Sequence, residues 1–110
     1  MIEAMWSVTF ITPEGSAGAG IVVFETGRIF GGDSFYYYLG NYSIEAGTAR
    51  GSIDVIHYSG PPANVFGPVE KITLQFSGKI EGNSIRAEAF DPSKPQNRLR
   101  MEFTRLANLP

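Results

Sequence analysis

The chain has 110 residues, no cysteine and a formal charge of −2, with a pI near 5.3. This length suits one domain spanning 1–110, burying roughly two-thirds of its unfolded surface. Disulfides and thiolate metal sites are excluded, and the acidic balance argues against nucleic acid, which needs a clustered basic face.

Glycine is abundant, with 13 residues, Tyr and Phe are frequent, and turn signals recur at short intervals. That is the all-β pattern. The first predicted strand covers 5–11, with Trp6, Val8 and Phe10 on one face and Ser7 and Thr9 on the other. Pro13-Glu14-Gly15 ends it. A second strand covers about 19–24, and Glu25-Thr26-Gly27 turns the chain into a third at 28–32. Asp33-Ser34 leads into a fourth strand, 35–45, which Ala46-Gly47 turns into a fifth at 48–58. The longest loop, 59–68, holds three of the seven prolines.

The sixth strand, 69–80, alternates most cleanly. Ile72, Leu74, Phe76 and Ile80 face one way; Lys71, Thr73, Gln75 and Lys79 face the other. Glu81-Gly82-Asn83 is a hairpin turn into a seventh strand at 84–90. A polar loop, 91–97, precedes the eighth strand at 98–106, where Leu99, Met101 and Phe103 face inward. Arg98 and Arg100 then share its solvated side.

Eight strands joined mostly by hairpins, each with one buried face, imply an all-β, antiparallel up-and-down barrel. A two-sheet sandwich is the alternative. The inward set includes Gly40, Ala49, Gly51, Gly78, Ala87 and Ala89, which either ease curvature or leave room for a ligand. In the first case Trp6, Phe76 and Phe103 fill the interior. In the second the barrel is a carrier of small hydrophobic molecules, lined by Trp6, Tyr36, Tyr38, Phe76, Met101 and Phe103.

Little in the chain resembles catalysis. His57 is the only histidine and shares its face with Ile53 and Val55, as a core or rim residue would; no zinc set can be assembled around it from the usual ligands. Gly31-Gly32-Asp33 follows a strand and opens no helix, so it reads as a bulge or bend capped by Asp33 rather than a phosphate cradle. Asp33, Asp54 and Glu45 form no evident acid–base pair. Ser16, Ser34 and Ser84 lack a nucleophile-elbow context. No enzyme activity, cofactor or metal is expected. Met1 to Phe10 lacks the basic start and long apolar run of a signal peptide, and no apolar stretch approaches the ~20 residues of a spanning helix. The reading is a cytoplasmic protein without membrane contact.

The run Phe35-Tyr36-Tyr37-Tyr38 is the most unusual feature. Tyr36, Tyr38 and Tyr42 share one face; Phe35, Tyr37 and Leu39 share the other. On the neighbouring strand Ile56 and Tyr58 also point away from the inward set. Phe35, Tyr37, Leu39, Ile56 and Tyr58 are therefore the candidate contact surface for a partner, first of all a homodimer.

In order along the chain, several short motifs resemble the GrlR-like family of type III secretion regulators. They are Trp6-Ser7-Val8-Thr9-Phe10, Gly18 to Gly20 followed by Ile21-Val22-Val23, Gly27 with Ile29, and Gly31-Gly32-Asp33. Tyr36-Tyr37-Tyr38-Leu39-Gly40 with Tyr42, and then His57-Tyr58, continue the similarity. The resemblance is firmest from Met5 to Tyr58. It implies a small lipocalin-like barrel that forms homodimers and represses bacterial virulence secretion genes by holding a helix-turn-helix transcriptional activator away from DNA. The family's founding type contacts its activator through an acidic Glu-Asp-Glu-Asp loop between its fourth and fifth strands. Here the chain reads Ile44-Glu45-Ala46-Gly47-Thr48-Ala49-Arg50, so Glu45 alone occupies the corresponding place.

Overall fold

A computed structural model describes residues 2–15, 17–61 and 70–110. Eight strands follow one another: β1 (Ala4–Ile11), β2 (Ala17–Glu25), β3 (Arg28–Gly32), β4 (Tyr36–Glu45), β5 (Thr48–His57), β6 (Lys71–Glu81), β7 (Ser84–Asp91) and β8 (Lys94–Ala107). Each pairs antiparallel with the next, and β8 returns to β1, so the sheet closes as an up-and-down barrel. Closure pairs both strands that would otherwise be sheet edges. The sandwich alternative is thereby set aside.

The period-2 reading of the faces holds throughout. Trp6, Val8 and Phe10 on β1, Ile72, Leu74 and Phe76 on β6, and Leu99, Met101 and Phe103 on β8 are all buried. Cross-strand rows alternate large and small side chains around the lumen. One row runs Tyr42, Gly51, Phe76, Ala89, Leu99. Another runs Trp6, Val22, Gly31, Tyr38, Val55, Ile72. The glycines sit where neighbouring backbones crowd: a Cβ on Gly31 would lie 1.9 Å from the Ile21 carbonyl oxygen, and one on Gly51 equally close to that of Asn41. No alanine fits there without moving a strand.

Two hairpins are two-residue loops with both residues at positive φ: Thr26 and Gly27 at 51° and 78°, Ala46 and Gly47 at 53° and 78°. This geometry matches the twist of the flanking strands.

Four expectations need correction. Phe35 and Tyr58 lie just outside β4 and β5, although the Tyr58 N–H still donates to the Phe35 carbonyl at 2.9 Å. The pairing through Gly31 and Gly32 is unshifted on both sides, so these glycines relieve crowding rather than form a bulge. The polar loop 91–97 is mostly strand: Asp91 pairs with Lys94 and Phe90 with Arg98. Pro95, Gln96 and Asn97 are the residues displaced by that register shift, because two residues on β7 face five on β8. The described part of β6 starts at Lys71 rather than 69. Ser16, Val69 and the stretch 62–68 of the expected loop lie outside the described residues.

Candidate functional site

The lumen is lined by the residues expected there. Trp6, Tyr36, Tyr38, Phe76, Met101 and Phe103 are all buried. Their rings occupy the space themselves. Trp6 lies 5.7 Å from Phe24, Phe24 5.4 Å from Phe103, and Phe103 6.1 Å from Phe76. Tyr42 adds a further ring 5.2 Å from Phe24. Phe24 is thus the hub of the interior, a role its place inside the apolar run Ile21 to Phe24 did not reveal. The Trp6 indole N–H donates to the Ile2 carbonyl at 2.9 Å, satisfying the one polar atom it buries.

One end of the barrel is organised by Asp33. One carboxylate oxygen accepts the Phe35 and Tyr36 N–H groups, each at 2.8 Å. The other accepts the Tyr38 hydroxyl. Burial, then the hydrogen bond to the Asp33 carboxylate, push the Tyr38 phenol far above its ordinary value. Tyr36 is shifted the same way, by burial first and the Asp33 charge second. The Tyr58 hydroxyl donates to the Asp33 carbonyl at 2.8 Å. A residue read as a turn cap therefore also orients three tyrosines. An Asp five residues before an inward Tyr was the available signal.

His57 sits at the same rim, edge-on to Tyr36 at 5.4 Å. Its Nε2 is 2.6 Å from the Gly60 carbonyl, and its Nδ1 is 4.0 Å from the Glu70 carboxylate. Among the described residues, no group of three or more side chains of the metal-ligating types comes together. Glu45 is exposed at the β4–β5 turn.

The outer wall divides into two halves. The first is apolar. Phe35, Tyr37, Leu39 and Tyr58 are exposed, and Ile56 is half-buried. The parity assigned to them is the observed one, and the barrel brings all five to one side. Register extends the patch onto strands that the reading of β4 and β5 had not included. One outward row runs Ile21, Gly32, Tyr37, Ile56. The next runs Met5, Val23, Phe30, Leu39. Tyr37 and Tyr58 pack at 6.1 Å, with the Tyr58 ring held by its bond to Asp33. Ion pairs rim the patch: Arg28 with Glu25 at 2.6 Å and Lys71 with Asp54 at 3.8 Å.

The second half, on β5 to β8, is polar and mainly basic. Outward positions there include Arg50, Lys79, Arg86, Arg98 and Arg100, with Glu81, Glu88 and Glu102 among them. Residues far apart in sequence are gathered on one wall by the barrel.

No family model matches the chain, and no curated protein shows significant similarity to it.

Proposed function

We propose that the chain is a non-enzymatic regulatory module that works by binding proteins through its outer wall. The observation that carries this reading is the apolar patch on β1 to β5. Two outward rows of four strands each, with exposed Tyr37 and Leu39 in them, face away from a core that is already filled. A sheet exterior of that composition is held against water only at a cost, and such patches mark partner surfaces. Aromatic residues and methionine are enriched at interface centres, and the rim here is polar, as interface rims are. In this reading the patch pairs with a second copy, since a self-matching surface closes a two-fold assembly. The resulting dimer acts in the cytoplasm as the GrlR-like negative regulators of type III secretion do, by sequestering a helix-turn-helix transcriptional activator. Glu45 is the single residue placed to contribute at the β4–β5 turn, so the activator is held chiefly through other surfaces.

Equilibrium sedimentation tests the interface. Wild type is expected as a dimer at micromolar concentration, and Tyr37→Glu combined with Leu39→Glu as a folded monomer. A monomeric wild type removes the dimer, and a dimeric double variant removes this face. Pull-down from the native host with mass spectrometry tests the activator: recovery of a helix-turn-helix protein supports sequestration, and its absence among captured partners refutes it.

A further inference from the structure

The basic half of the wall has features that folding does not call for. Lys79 and Arg86 are direct cross-strand partners, and like charges set opposite each other destabilise a sheet. Both are exposed. Among the described residues, neither they nor Arg50 forms an ion pair, whereas Arg100 lies 3.9 Å from Glu102. Arg98 lies over the Phe90 ring at 5.9 Å. Apart from the Lys71–Asp54 pair at the rim, five cations thus stand against three carboxylates, Glu81, Glu88 and Glu102, on this wall, while the whole chain has a net charge of −2. Beside Arg50 the surface is concave. A groove of about 600 Å³ is floored by Gly51 and Phe76 and flanked by Asn41, Gln75, Ser77 and Glu88.

We propose that the β5–β8 wall is a docking surface for an extended acidic segment of a partner protein, with carboxylates meeting Arg50, Lys79 and Arg86. Charge complementarity selects the occupant. Among the described residues Arg50 and Lys79 hold no ion pair, and Arg86 is shared between Lys79 on one side and Glu102 on the other; such guanidinium and ammonium groups favour carboxylates, and the Asn41, Gln75 and Ser77 side chains can bond a peptide backbone. Glu88 and Glu102 select against nucleic acid. They interrupt the positive field at positions where an unbroken phosphate chain must pass, whereas a peptide can present neutral residues there. This surface is separate from the apolar half, so its test stands or falls independently of dimerisation.

The probe is a fluorescein-labelled 12-residue peptide of repeating Asp-Glu-Gly, followed by anisotropy at physiological salt. Wild type is expected to bind saturably, with affinity falling as salt rises. Lys79→Glu combined with Arg50→Glu should weaken binding by about tenfold or more, the scale expected for reversing steering charges. Lys79→Glu alone should weaken binding while raising the thermal midpoint, because it turns a like-charge pair with Arg86 into an opposite-charge one. A merely structural lysine would not move the two readouts in opposite directions. Arg28→Glu, on the apolar half, should leave binding within about twofold. Three outcomes overturn the proposal: no saturable binding by wild type, equal loss in Arg28→Glu, or tighter binding of a single-stranded oligonucleotide of the same charge.

Discussion

Asp91 is the one charged residue buried among the described residues, at the turn between β7 and β8. Its Oδ1 accepts the Ser93 N–H at 2.9 Å and the Ser93 hydroxyl at 2.7 Å. The Ser93 hydroxyl bond is the main reason its carboxyl is held below the ordinary value of 3.8, against the opposing effect of burial. The unfolded chain therefore takes up a proton at this site before the folded chain does. The stabilisation is fully present above about pH 3.8 and is lost as pH falls through the lower native value. Thermal midpoints measured from neutral pH down to about 2 should fall less steeply in Asp91→Asn than in wild type, since the amide has no charge to lose. Parallel curves would show that the turn carries no proton linkage. Asp33 likewise accepts backbone N–H groups at its own turn, but its bonds to Tyr38 and to the Phe35 and Tyr36 amides depend on side-chain directions that strand periodicity does not encode.

At the level of elements, most of the barrel could be read from alternation, because each strand buries one face only. On β6 the inward series Ile72, Leu74, Phe76 and the outward series Lys71, Thr73, Gln75 leave a single solution. The apolar patch was half legible. Tyr37 and Leu39 stood out on β4, but Val23 and Phe30 join them through cross-strand register, which a linear sequence does not display. Uniformly apolar Ile21 to Phe24 was the hint that β2 is apolar on both faces. The start of β8 was misread for a similar reason: Lys94 to Asn97 is polar and holds a proline, yet pairing between Asp91 and Lys94 draws it into the sheet. The register also sets the cost of a core change. Phe76 stands between Gly51 and Ala89, and neither can reach into a hole left beside it. Phe76→Ala should therefore cost about 3–5 kcal/mol, read as a lower denaturation midpoint. An unchanged midpoint would mean that the ring is not part of the packed interior.

For the molecule as a whole, the ring-packed lumen and the divided exterior are what the proposed recognition through the outer wall rests on. An eight-stranded barrel is just wide enough to be filled by side chains or to hold one small ligand. Here the chain of rings from Trp6 through Phe24 and Phe103 to Phe76 favours filling over carriage. Phe103 is the decisive ring, because it is the one in contact with both Phe24 and Phe76. Trp6 is the only tryptophan, so its emission reports the lumen without a competing signal. Titrating a long-chain fatty acid into wild type, below its aggregation threshold, should give no saturable change in that emission. Phe103→Ala should open an apolar cavity beside Phe24, and a small apolar probe such as benzene should then bind and raise the variant's thermal midpoint, as engineered apolar cavities allow. Saturable quenching in wild type would make the barrel a carrier. Failure of the variant to bind any probe would mean that neighbouring side chains collapse into the space, which the glycine and alanine positions of the inner rows argue against.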